Sequence, residues 1–225
     1  MNFHRDEQLE QVLLKYLTDS TFEDRKEQWP GVTNLIFCLT KAFYDRKKHL
    51  QTGKLPEHSE TTQLMFAVGL GLEKALISNW KEGELAGEYE GIWYHIDGHY
   101  EDSVLEVKST RRRSITGREP NKVIANPTVL PEHWLKQIKA YCKVSNKTTA
   151  KLAVMHIIEP VLRVWEIAFT PLEILDNWSW LKRRKIVLEA AMLVDKPPAA
   201  FEYNMPWECE DCPWRLFCNL EAGKL

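Results

Sequence analysis

The chain has 225 residues, 44% of them hydrophobic, enough for a full core in one compact domain, or in a domain with an appended helical part. A formal net charge of −2 excludes a generally basic nucleic-acid coat but leaves room for a local basic groove. The start "MNFHRDEQLEQVLLKYL" is charged and lacks the apolar stretch of a secretory signal, and no run is apolar enough to span a bilayer, so a cytoplasmic chain without membrane contact is expected. In chain order, "WPGVTNLIFCLTKAFYDRKK" predicts a turn and then one helix, capped by Thr33 or Asn34, with Leu35, Ile36, Leu39 and Phe43 at apolar spacing. A longer helix is predicted in "PEHSETTQLMFAVGLGLEKALISNW", with Leu64, Met65, Val68, Leu72 and Leu76 as its stripe. Gly69 and Gly71 each cost a helix roughly 1 kcal/mol against Ala, and mark either close backbone approach or tight packing on a sheet.

From residue 84 the apolar period changes to two. "ELAGEYE", "GIWYHIDGHY" and "SVLEVKST" predict three strands in a meander. Residues 111–128 are polar, with Gly and Pro, and predict a long functional or mobile loop. "LPEHWLKQIKAYCKVS" predicts a helix, "AKLAVMHII" and "VLRVWEIAF" a hairpin about Glu159 and Pro160, and "TPLEILDNWSWLKRRKIVLEAAMLV" a long helix. The tail is rich in Pro, Trp and Cys. This order describes a mixed α/β protein with a central sheet flanked by helices. It divides into a helical part over 1–56, a core over 57–195 and a cysteine-rich tail over 196–225.

The stretch "DGHYEDSVLEVKST" carries the chemistry. A turn centred on Glu101 and Asp102 sets Tyr100 opposite Ser103, Asp97 opposite Glu106 and His95 opposite Lys108. Ile92, Tyr94, Ile96, Leu105 and Val107 then share the other, apolar face. Two carboxylates held so close repel unless a cation sits between them, and oxygen ligands suit Mg²⁺ or Mn²⁺. A lysine two residues past the glutamate projects beside the same ion, where it can hold a water or stabilise phosphate charge. The competing reading is a solvated hairpin face with a cross-strand salt bridge. Gln137 and Tyr141, four apart, share one helical face, as they would in any amphipathic helix.

With thiols kept reduced, the five cysteines are metal ligands or core residues rather than disulfides. "CEDCPWRLFC" supplies Cys209, Cys212 and Cys218 at metal-type spacing. The fourth ligand is Cys38 or Cys142. Cys142 fits a core position, and Cys38, flanked by Lys41 and Arg46, is the better candidate. Four thiolates suit Zn²⁺ or an iron–sulfur cluster, and either would tie the chain ends together.

Taken in order, Gly69 with Glu73, "IDG" at Asp97, "EVK" at Glu106 to Lys108, "QIKAY" at Gln137 to Tyr141, and one early plus three late cysteines resemble the RecB-type branch of the PD-(D/E)xK nucleases. Within it the chain is similar to the CRISPR-associated RecB-like exonucleases, the fourth Cas family. The resemblance implies a restriction-endonuclease-like sheet whose terminal segments meet at a four-cysteine cluster. It implies metal ligation by Asp97, Glu106 and the Val107 carbonyl, with Lys108 as the catalytic lysine. Gln137 and Tyr141 would orient the site and contact DNA, and Cys38, Cys209, Cys212 and Cys218 would hold a [4Fe–4S] cluster. Glu73 stands where the family often has a histidine, and can ligate the same hard ion. "CLTK" replaces the usual C-P-R after the first cysteine. There is no Walker A motif, so any ATP-driven unwinding belongs to a partner.

Two basic groups could meet DNA. Arg111, Arg112, Arg113, Arg118 and Lys122 follow the lysine directly and could neutralise phosphates beside the metal. In "WSWLKRRK", Trp178 and Trp180 beside Lys182, Arg183, Arg184 and Lys185 suit either a single-strand stacking surface or a solvated helix face with core tryptophans. The expected function is a metal-dependent deoxyribonuclease on single-stranded DNA ends, working with a CRISPR integrase or a helicase. A structure-specific endonuclease, a non-catalytic DNA-end-binding subunit and a zinc-bound interaction module are the competing readings.

Overall fold

The computed structural model describes residues 28–54, 60–77, 85–110, 130–157, 160–200, 202 and 204–223. Six α-helices occur there: α1 (Val32–Ile36), α2 (Leu39–Thr52), α3 (Glu60–Ile77), α4 (Glu132–Val144), α5 (Pro171–Leu193) and α6 (Arg215–Glu221), with a short 3-10 helix over Pro206–Cys209. The strands are β1 (Leu85–Tyr89), β2 (Ile92–Ile96), β3 (Gly98–Tyr100), β4 (Ser103–Thr110), β5 (Thr149–His156) and β6 (Val161–Ala168). Among the described residues, no helix is long and apolar enough to cross a membrane.

The single N-terminal helix expected over residues 33–48 is two helices. Its cap falls at Gly31, and Asn34 reaches back so that its Oδ1 accepts the Gly31 N–H at 2.9 Å, correcting the assignment to Thr33 or Asn34. The chain breaks at Phe37 and Cys38. Cys38 then caps α2, with Sγ accepting the Lys41 N–H at 3.5 Å. Gly53, at φ 69°, ends α2 in the left-handed conformation that a side chain would strain.

The strands form two sheets. A four-stranded mixed sheet runs β3-β4-β5-β6, with β4 and β5 parallel and the other pairs antiparallel. The parallel pair requires a crossover, and α4 lies on it. β1 and β2 form their own antiparallel pair, so the expected three-strand meander is replaced by two hairpins. The expected facing of Tyr100 and Ser103 holds. Beyond Gly98 opposite Leu105, the ladder stops at Asp97. In a continuing hairpin, the Val107 N–H would bond the Ile96 carbonyl. Instead it donates to Asp97 Oδ2 at 2.6 Å, and β2 turns away to pair with β1.

One face of the mixed sheet meets α1, α2, α4 and α5 in the main core, built on Leu35, Leu39, Phe43, Val104, Ile138, Leu152, Trp178 and Leu181. The other carries a smaller cluster of Leu105, Val107 and Ala153, covered by Leu76 and Ile77 of α3. A Cβ on Gly69 would lie 3.0 Å from Ser109 Oγ, so this glycine marks tight helix–sheet packing; nothing crowds Gly71.

Candidate active site

The strand β4 alternates between these two faces. Leu105 and Val107 lie under α3, whereas Val104, Glu106 and Lys108 point towards the α4 side. The polar face of β4 is therefore not a solvated one. Glu106 is 1% exposed, and its Oε2 has no hydrogen-bond partner among the described residues. Lys108 Nζ lies against Glu106 Oε1 as an ion pair. Leaving a carboxylate in such a place costs several kcal/mol, on the order expected for a buried ion with incomplete partners.

Burial pushes the Glu106 carboxyl up to about 8; Lys108 opposes this, and Asp97 and Glu73 add to it. For Lys108, burial works against the charge, yet Glu106, Asp97 and Glu73 together hold its ammonium above the usual lysine range. Tyr141, 2% exposed, is raised by burial and then by Glu106, with Asp97 and Glu73 contributing. Its hydroxyl accepts the Gln137 side-chain N–H at 2.8 Å. Asp97, Glu106, Lys108, Glu73 and Tyr141 thus share one electrostatic neighbourhood, with Gln137 attached through Tyr141.

His95 lies on β2. It stands opposite Ala86 on β1, and its Nε2 contacts Gln28 Oε1. The expected facing of His95 and Lys108 fails because β2 left the β4 ladder at Asp97. Arg111, Arg112, Arg113, Arg118 and Lys122 lie outside the described residues.

The second basic group resolves towards the core reading. Trp178 is 2% exposed, and its Nε1 donates to Glu90 at 3.1 Å. Lys136 and Arg184 both lie over the Trp180 ring, at 4.3 and 4.7 Å. Arg184 is buried and donates to the carbonyls of Leu35 and Phe37, at the end of α1. Sequence reasoning missed this role, because an arginine in a basic run carries no mark of the carbonyls it will meet.

Away from the carboxylates, Cys38, Cys209, Cys212 and Cys218 are neighbours in charge. Burial raises Cys38, with Glu208 and Cys212 adding to it. Burial also raises Cys212, with a contribution from Cys209. Cys218 is pushed up to about 11 by burial and then by Cys38, Cys212, Glu221 and Cys209. Cys142 is set apart: burial alone pushes it up to about 12, and its thiol lies 3.8 Å from the Thr149 carbonyl. Among the described residues, no three His, Cys, Asp or Glu side chains stand closely enough to form a ready-made metal cage. Glu208 had no signal in the sequence. Its two oxygens accept the N–H groups of Cys38 and Met205, each at 2.7 Å, binding the tail to the break between α1 and α2.

No protein-family model and no curated protein matches the chain. Among solved structures, it is similar to the crystal structure of SSO0001, with a TM-score of 0.56 and 18% identity over 93% of this chain and 96% of that one. At that identity the likeness speaks for the fold: a mixed α/β architecture with a four-stranded sheet and a two-stranded sheet among helices.

Proposed function

We propose that the chain is a metal-dependent deoxyribonuclease of restriction-endonuclease-like fold, acting as an exonuclease on single-stranded DNA ends in CRISPR spacer acquisition or DNA repair. The observation that carries this reading is Glu106, a buried carboxylate met by Lys108 at Oε1 and by no hydrogen-bond partner at Oε2 among the described residues, with Asp97 and Glu73 in its electrostatic reach. A buried hard oxygen without a partner, beside further carboxylates, fits a divalent cation. Asp97, Glu106, the Val107 carbonyl and Glu73 would hold Mg²⁺ or Mn²⁺, which supplies Lewis-acid stabilisation of the phosphate and lowers the pKa of water. The Val107 N–H orients Asp97 for this task. Lys108, placed by Glu106, offers its remaining donors to a phosphate oxygen or to the attacking water, which replaces a sugar oxygen on phosphorus. Gln137 and Tyr141 support that pocket from α4.

Cys38, Cys209, Cys212 and Cys218 would hold a [4Fe–4S] cluster, for which thiolates are the usual ligands. Cys38, Cys212 and Cys218 lie in the electrostatic reach of other members of the set, and two sulfurs accept N–H bonds: Cys38 from Lys41, and Cys209 from Asn204 at 3.1 Å. Binding would displace the protons that burial keeps on Cys38, Cys212 and Cys218.

Lys108→Ala tests the reading. Without the ammonium Glu106 can be buried as the neutral acid, so the variant should stay folded and bind DNA, yet lose at least 100-fold in cleavage of end-labelled single strands with either Mg²⁺ or Mn²⁺, roughly the loss on removing one stabilising donor. Cleavage at the parent rate would leave the charged group as structure only.

A further inference from the structure

One face of α4 runs from the candidate active site to a group of aromatic rings. His133, Gln137 and Tyr141 recur there every four residues. Tyr141 lies in the electrostatic reach of Glu106, and His133 is about 12 Å further along the helix. The His133 ring is 5.4 Å from Phe37 and 5.5 Å from Trp207, and Phe37 and Trp207 are 6.0 Å apart in an edge contact. Trp178, in the core, is 2% exposed, and Trp29, Trp134, Trp165 and Trp180 are half-buried against it. Trp207 is 50% exposed, although two rings brace it.

We infer that Trp207, backed by Phe37 and His133, is a stacking platform for an unpaired base of the DNA strand whose backbone passes Glu106 and Lys108. This rests on the nuclease reading and adds a subsite to it. An indole already held by other rings loses little side-chain freedom when a base stacks on it. A helix face of about 12 Å spans at most about four nucleotides at the roughly 3.4 Å rise of a stacked strand. The platform and the carboxylates are thus within reach of one short segment. Bases offer free π-faces in a single strand, whereas in a duplex they stack on one another, so the platform selects unpaired ends.

The test measures binding of parent, Trp207→Ala and Trp207→Phe to a short oligothymidylate and to a blunt duplex, without added divalent metal. Trp207→Ala should weaken oligothymidylate binding about tenfold, the loss expected for one stacked base. Trp207→Phe should recover most of that loss, and neither change should alter duplex affinity. Parent-like single-strand binding by Trp207→Ala would overturn the platform and leave the nuclease reading standing. Equal loss of single strand and duplex, unrescued by Phe, would assign the ring to packing of the tail, also overturning it. A parent that binds neither DNA would overturn both readings.

Discussion

Glu106 sits where a carboxylate is least stable, and its environment makes a pH-dependent prediction. Its carboxyl is pushed up to about 8 from an ordinary 4.5, by burial first. Below about pH 4.5 the folded and unfolded chains both carry the proton, and burial costs little. Between about 4.5 and about 8 the unfolded chain ionises while the folded chain keeps its proton, so stability falls as pH rises. Melting temperature of the metal-free protein should therefore decline through this window, and Glu106→Gln should flatten the decline. Added Mg²⁺ should flatten it too, since a cation on the carboxylate competes with the proton. Equal slopes for parent and Glu106→Gln would show that the carboxyl is not held in this way.

The approach of α3 to β4 depends on Gly69, one turn before Glu73. Gly69→Ala adds helix propensity, and the atom it meets, Ser109 Oγ, ends a rotatable side chain, so stability should change by less than about 1 kcal/mol. Gly69→Leu cannot be accommodated by one hydroxyl. It should cost about 1–3 kcal/mol in chemical denaturation and weaken Mg²⁺-supported cleavage by moving Glu73. At the break between α1 and α2, Glu208 plays the comparable part. Glu208→Ala leaves two backbone donors without their acceptor, at a cost of about 1–3 kcal/mol. The tail should then be cut faster by trypsin at the exposed Arg215, with Glu208→Gln between Ala and parent. Unchanged digestion would show that other contacts suffice.

Those other contacts join the two ends of the described chain without any metal. Tyr44 donates to Glu221 at 2.6 Å, Trp214 donates to Asp45 at 2.7 Å, and the Tyr44 and Trp214 rings stack at 5.2 Å. A metal centre would thus reinforce a junction that hydrogen bonding has already made. Protein purified without air should be brown and contain iron and acid-labile sulfide, and Cys209→Ala or Cys212→Ala should lose both. Cys142→Ala should keep the colour, losing only about 1 kcal/mol for a small core cavity. A colourless parent with stoichiometric zinc would replace the cluster by a zinc site.

Local pattern was enough for much of this architecture. Alternation in "SVLEVKST" predicts β4, its two-residue turn predicts Tyr100 opposite Ser103, and four-residue spacing predicts that Gln137 and Tyr141 meet. These follow from backbone sterics over a few residues, which every copy of such a segment obeys. The departure of β2 from β4 was not legible, because it turns on whether the Val107 N–H takes a backbone carbonyl or the Asp97 carboxylate. Nor was the burial of Glu106, which depends on α4 closing over that face from further along the chain. The same holds for Arg184, which reads as surface charge until α5 brings it to the carbonyls of Leu35 and Phe37. Periodicity is encoded within each element, but the competition for a shared hydrogen bond or a covered charge is resolved only when distant elements pack together.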